Sequence, residues 1–242
     1  LCRGEREVEA HARRLLVEVD RLGGVLLVEE FVKGPLYSLE AVTFGGKTRV
    51  LGYTDRVMGS HPYFTEIADS FPVHFAPEME AAVSRVLTRA LRGLGIDYGF
   101  THTEFVLSGG KPVLIEVNPR LAGGLIGEMI SIAYGANIYA AVVDLALGKP
   151  PRIPRRANAA ASECWVYASK AGIVESVDGV ELSSSYPGVR RIVVTSQPGQ
   201  KITHAGDYRG QIAAVLAGAS TSDLAASYAR AAAAAITASV RP

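Results

Sequence analysis

Cysteine is nearly absent. The two residues, Cys2 and Cys164, lie far apart with no CxxC or Cys/His spacing. Nothing there points to a disulfide framework or a structural zinc; a single disulfide stays open, and two reduced thiols in a cytosolic protein is the plainer reading. An excess of charge of one sign is also missing. Lys and Arg number 25 against 24 acids, for a formal net charge of +1, and the signs are intermixed along the chain. That argues against a broad surface for nucleic acid or an anionic membrane. There is no long uninterrupted apolar run either. The most apolar stretch, residues 130–147, contains Asn137 and Asp144 and is broken by Gly135, so it reads as a buried helix pair and not a membrane span. Residues 1–9 are charged and lack the apolar core of a secretory signal. The first residue is Leu1 and not Met, inside an apparent helix, so the chain reads as a fragment of something longer.

What is present is a globular composition, 48% hydrophobic and 20% charged over 242 residues, enough for one large domain or two modest ones. Residues 5–21 have a helical stripe of Val8, Leu15, Leu16 and Val19, ended by Gly23 and Gly24. Residues 25–32 read as a buried strand. Residues 37–44 and 48–53 read as a hairpin about Gly45 and Gly46, and residues 55–74 as a long loop. A helix over 77–94 opens on Pro77 and Glu78. A second hairpin, 100–107 and 112–117, is followed by helices over 124–134 and 138–147. Residues 148–156 (GKPPRIPRR) are Pro-rich and basic, which sets a division into residues 1–148, a linker 149–158 and a unit over 159–242. That last unit is expected to hold strands at 162–168, 173–177 and 189–195 and one Ala-rich helix over 221–240.

The second hairpin carries the chemistry. Glu104 and Glu116 lie twelve positions apart across a short turn, and pairing the strands about Gly110 sets the two carboxylates opposite one another on one face. Like charges so placed are destabilising unless a cation neutralises them. Hard carboxylate oxygens with an added amide oxygen suit magnesium bound together with phosphates. Asn118 reaches the same face by alternation, and Arg120 follows if the chain stays extended past Pro119. Phe105, Leu107, Val113, Ile115 and Val117 are expected to pack the other side. A solvent-facing hairpin with diverging carboxylates fits the spacing alone equally well.

The run Glu116, Val117, Asn118, Pro119, Arg120, with Glu104 upstream, resembles the metal-binding signature of the ATP-grasp family, which includes biotin carboxylase, D-alanine–D-alanine ligase and the L-amino-acid ligases. The resemblance implies that Glu104, Glu116 and Asn118 hold Mg2+ on the phosphates of ATP, and that Arg120 stabilises the transferred phosphoryl group. Residues 29–32 (EEFV) resemble the family's hinge strand, which implies ATP contacts from Glu29, Glu30, Phe31 and Val32, with backbone groups of Glu30 and Val32 on the adenine edge. Leu36 stands where an acid usually binds ribose, so ribose recognition is unassigned. Glu40, on the next strand, faces either the site or solvent. Arg56 sits where family members often carry a basic residue near the phosphates. Residues 59–72 resemble the substrate-side loop of the L-amino-acid ligase branch, which implies acceptor contacts or loop ordering by His61, Tyr63 and Glu66. The run Leu121, Ala122, Gly123, Gly124 resembles the same branch, with glycines that let backbone approach an anion at a helix start. The C-terminal unit resembles the domain that follows the ATP-grasp core in biotin-carboxylase-like ligases, and His204 there reads as structural.

The implied fold is α+β: an antiparallel-sheet ATP-grasp subdomain with flanking helices, then a smaller α+β C-terminal domain. The implied activity is that of a cytoplasmic, ATP- and Mg2+-dependent ligase joining a small carboxylate to an amine through an acyl-phosphate. A carboxylase making carboxyphosphate and a degenerate binding or regulatory subunit are the alternatives. The family's front subdomain, with two lysines and a glycine-rich loop, and the Rossmann-like domain before it have no counterpart in these residues. The expected partners are therefore the missing N-terminal half and the two substrates, with a homo-oligomer left open. The chain alone is expected not to turn over ATP.

Overall fold

In the computed structural model residues 1–61 and 64–242 are described, with backbone alone for Glu18, Asp20 and Leu22; Tyr63 thus lies outside the described residues. Residues 1–33 form one compact unit and residues 34–242 another. In the first, helix α1 (Glu5–Leu22) forms over the expected amphipathic stretch, with Glu5 and Glu7 in its first turn and Arg21 in its last. The strand expected over 25–32 does not form. Residues 24–33 have no regular structure, and Val25 is 96% exposed. A strand exists only where a neighbour takes its hydrogen bonds, and among the described residues none pairs with this segment.

In the second unit, strands β1 (Leu36–Phe44) and β2 (Lys47–Met58) turn about Gly45 and Gly46, both at positive φ. Strand β3 (Glu66–Val73) arises inside the segment expected to be a loop. Its residues Ala68 to Phe71 are buried on both faces, so no polar–apolar alternation marks it in the sequence. Helix α2 (Pro77–Leu94) follows and stops at Gly95, in the left-handed region. Then come β4 (Gly99–Ser108), β5 (Lys111–Asn118), α3 (Ile126–Tyr134) and α4 (Ile138–Ala146). After the irregular residues 147–159 lie β6 (Ala160–Tyr167), β7 (Gly172–Asp178), α5 (Val180–Ser184), β8 (Val189–Val194), β9 (Lys201–Ile202), β10 (Gln211–Ala219), α6 (Ser222–Ala234) and β11 (Thr237–Arg241). The helix expected to reach residue 240 thus ends at Ala234. Beyond it β11 pairs with β7 and buries Val240.

The larger sheet has eight strands in the order β5-β4-β1-β2-β3-β6-β10-β8, with every pairing antiparallel; β11, β7 and β9 make a smaller one. Pairing of β3 with β6, from Ala68↔Cys164 to Phe71↔Ala161, joins strands from either side of residues 149–158 in one sheet. On one face, Leu39, Tyr53 and Phe105 pack against Val83, Leu87 and Leu91 of α2. Met129, Ile130 and Ala133 of α3 pack with Phe71, Ala161 and Leu216, and Ala229, Ala232 and Ala233 of α6 cover Ala213 and Val215. The α3–α4 pair bends by 100°, and no single described helix is long and apolar enough to cross a membrane. Both cysteines are free.

Candidate active site

Strand alternation decides which side chains share a face. The pairings Glu40↔His102, Ser38↔Glu104, Ser38↔Thr54, Glu104↔Glu116 and His102↔Asn118 place these polar residues on one side of the sheet. Arg56↔Asp69 and Asp69↔Glu163 carry the row across β3 and β6. The opposition of Glu104 and Glu116 is as expected, but it depends on a bulge. Ser108↔Lys111 and Phe105↔Leu114 set a register that, continued regularly, would bring Ile115 against Glu104. The extra residue Ile115 shifts the ladder and puts Glu116 there instead. The apolar packing expected behind the hairpin is corrected by the same bulge. Phe105 is buried and Leu107 and Val117 pack beside it, whereas Ile115 is 39% exposed and Val113 pairs with Val106.

Glu104 sits between two cations. Its Oε1 accepts from Arg56 Nη1 at 2.8 Å and from His102 Nε2 at 3.2 Å. Burial alone would raise the pKa of Glu104, but the hydrogen bonds from His102 and Arg56 and their charges hold it down at about 2. Burial pulls His102 the other way and is likewise overcome: hydrogen bonds to Glu104 and Glu40 push its pKa up to about 9. Glu40 lies behind this pair. It is 2% exposed, and its Oε1 accepts from Ser38 Oγ at 2.8 Å, Thr54 Oγ1 at 3.3 Å and His102 Nδ1 at 2.9 Å. The structure thus buries Glu40 in a hydrogen-bonded cluster and leaves it no solvent-facing role.

Arg56 is the hub. Besides Glu104 it donates through Nε to Glu66, and Nε lies 3.3 Å from Asp69 Oδ1. Its burial disfavours the charge, yet Glu66, Asp69 and Glu104 together raise its pKa above the ordinary value. Asp69 and Glu163, directly opposed on β3 and β6, are 1% and 0% exposed. Burial raises both, with Glu66 adding to the effect: Asp69 lies well above the usual carboxylate range and Glu163 is pushed up to about 7. Both oxygens of Glu163 accept from Leu125 N, at 3.3 and 3.1 Å, which pins the turn at Gly124 to β6. Gly124 has a φ of +60°, and a Cβ there would stand 3.0 Å from Glu163 Oε1, so the close approach requires glycine.

Arg56, Glu66, Glu104, Glu116, Arg120, Gly123 and Gly124, all expected from sequence, line a single cleft of about 200 Å³. Asn118 adjoins them, donating to Glu116 Oε1 at 2.6 Å and accepting from Arg120 Nη2 at 3.4 Å. His61 is not among the lining residues; its ring meets Phe64 edge-on at 4.6 Å. Glu29, Glu30, Phe31 and Val32 belong to the first compact unit. The same cleft is lined by His102, Asp69 and Glu163, which the sequence did not single out. For His102 a signal existed, since His102 and Glu104 alternate on one strand face. Asp69 and Glu163 become neighbours only through the β3–β6 pairing.

The donor set fits magnesium. Glu104 commits Oε1 to Arg56 and His102, while Oε2 accepts no hydrogen bond among the described residues. No group of three or more His, Cys, Asp or Glu side chains is placed for a metal among the described residues. The two carboxylates are the candidate donors, and the Asn118 amide oxygen, which accepts from Arg120 Nη2 at 3.4 Å, would join them on turning from that contact; Mg2+ takes such a site when phosphates and water fill its other positions.

Two families match the sequence: the ATP-grasp domain over residues 6–128, and the L-amino acid ligase C-terminal domain 2 over residues 164–241. The "uncharacterized protein y4rH" of Sinorhizobium fredii is 32% identical over 219 residues, 90% of this chain and 45% of that protein. Human carnosine synthase 1 is 35% identical over 137 residues, 57% of this chain and 17% of that one. The chain thus spans less than half the length of these relatives. Among solved structures, the L-amino acid ligase from Bacillus licheniformis superposes with a TM-score of 0.78 at 22% identity, covering 95% of this chain and 60% of that one.

Proposed function

We propose, from the premise that this chain belongs to the ATP-grasp family, that it is the metal-binding part of an ATP-dependent carboxylate–amine ligase. The observation that carries the reading is the direct opposition of Glu104 and Glu116, with Glu104 Oε2 accepting no hydrogen bond among the described residues. The match of residues 164–241 to an L-amino acid ligase domain, together with the likeness to carnosine synthase, favours C–N bond formation over carboxyphosphate synthesis.

In the proposed course, a substrate carboxylate oxygen attacks the γ-phosphorus of ATP and the bond to the bridging oxygen breaks, giving ADP and an acyl-phosphate. An amine nitrogen then attacks the acyl carbon, the carbon–oxygen bond to phosphate breaks, and the amine gives up a proton as the amide forms. Glu104, Glu116 and Asn118 would hold Mg2+, which supplies neutralisation of phosphate charge. Arg120, exposed and lining the same cleft, would stabilise the transferred phosphoryl group. Arg56 holds Glu66, Asp69 and Glu104 in place and brings a second positive charge to the cleft wall. Amides at Gly123 and Gly124 would approach an anionic group, and Glu66, which lines the cleft, would face the acceptor, whereas His61 lies outside that lining. For adenine, the backbone groups of Glu30 and Val32 make no hydrogen bond among the described residues and would be available to a ligand edge.

The test uses the full-length protein with Mg-ATP and pairs of amino acids, following phosphate release and the coupled product by mass spectrometry. Glu116→Gln is expected to cut turnover by at least about 100-fold, as loss of a metal carboxylate should, with the circular dichroism spectrum unchanged. Wild-type turnover in that variant removes Glu116 from the mechanism.

A further inference from the structure

His102 is buried, 4% exposed, and both of its ring nitrogens face carboxylates: Nδ1 lies 2.9 Å from Glu40 Oε1 and Nε2 lies 3.2 Å from Glu104 Oε1. Nε2 also lies 3.4 Å from Arg56 Nη1, so the ring is held by three charged side chains at once. Glu40 is fixed in turn by Ser38 and Thr54, on the same face of β1 and β2. The chain Ser38/Thr54–Glu40–His102–Glu104 therefore runs from the sheet interior to the cleft and ends on one oxygen of one carboxylate.

Burying such an array is costly. Replacing a buried ion pair by apolar residues of similar volume is often neutral or stabilising, so fold stability alone is a weak reason to keep it. What the array does achieve is positional. Glutamate has three rotatable side-chain bonds, and a lone surface carboxylate opposite Glu116 would swing away from it. Clasping Oε1 between His102 and Arg56 fixes the carboxylate while Oε2 has no donor among the described residues. Outer partners that orient metal-binding groups in this way typically contribute 10–100-fold in metal affinity.

We propose that Glu40 and His102 are positioning residues for the divalent-cation site: they act through Glu104, presenting its Oε2 opposite Glu116, and His102, although it lines the cleft, is not itself a metal ligand. This rests on the reading of Glu104 and Glu116 as cation ligands given above.

The experiment is a titration of the 242-residue chain with Mn2+ alone, reading free Mn2+ by electron paramagnetic resonance, beside thermal melts and circular dichroism. Wild type is expected to bind, and Glu116→Gln to lose most of that binding. His102→Ala should weaken Mn2+ binding by about 10–100-fold, and Glu40→Gln should shift it in the same direction, with the folded spectrum retained in both. Should His102→Ala fail to fold, Glu40→Gln, nearly the same shape as the native side chain, decides the question alone. Wild-type affinity in the folded His102 or Glu40 variants overturns the positioning role and leaves the ligase reading standing. If the wild-type chain binds Mn2+ no better than Glu116→Gln does, the cation reading falls and the positioning role falls with it.

Discussion

At the scale of single residues, the cleft is built by side chains that would repel one another if all were charged. Asp69 and Glu163 oppose each other at 1% and 0% exposure. The folded chain therefore holds a proton that the unfolded chain releases. The ordinary Glu value of 4.5 rises to about 7 for Glu163, so between those values the unfolded state ionises and the folded state resists. The Glu163 contribution to stability should therefore fall as pH rises from about 4.5 through about 7, with raised Asp69 and His102 extending the decline beyond it. Glu163→Gln keeps an oxygen for the Leu125 amide and removes one ionisation, so that slope should flatten. Urea unfolding across this range checks it, and an unchanged slope would mean that Glu163 ionises normally in the fold. Part of this chemistry was legible beforehand. Glu104 and Glu116 flank a two-glycine turn, so their encounter could be read locally, although the bulge at Ile115 could not. Asp69 and Glu163 are far apart in sequence and each looks like an isolated polar residue in an apolar setting.

At the scale of elements, legibility followed amphipathicity. Helices α1 and α2 and both glycine-turn hairpins carry a polar and an apolar side, and all were visible. Two strands buried on both faces, β3 and β10, were not, although β1 and β6, similarly buried, were. Strand β3 mixes Asp69, Ser70 and Phe71 within a fully buried run, and β10 is mostly alanine, glycine and single aliphatics, whose propensities point to no particular state. The alanines of α6 have a packing reason. Ala225, Ala229 and Ala232 are each 0% exposed, which lets the helix lie close on β6 and β10 with no room for a longer side chain. Ala229→Leu should therefore lower stability by about 1–3 kcal/mol through overpacking, seen as a lower urea midpoint at constant m-value. A neutral result would reveal slack under α6 that the buried contacts do not suggest.

At the scale of the whole molecule, the question is how much of a ligase one strand-lined wall can be. Every group that the cleft offers to phosphate comes from one face of one sheet and the turn after β5. Phosphoryl transfer depends on positioning the donor and the attacking oxygen from several directions while water is excluded. The chain also spans 45% of its Sinorhizobium relative. The expectation is that these 242 residues by themselves bind divalent cation but release no amino-acid-dependent phosphate from Mg-ATP, whereas protein of the relative's length does both. Parallel assays at equal concentration, with Mn2+ binding as the control for an intact site, decide it. Acceptor-dependent turnover by the short chain would show that the cradle for ATP is complete within one sheet and its flanking helices.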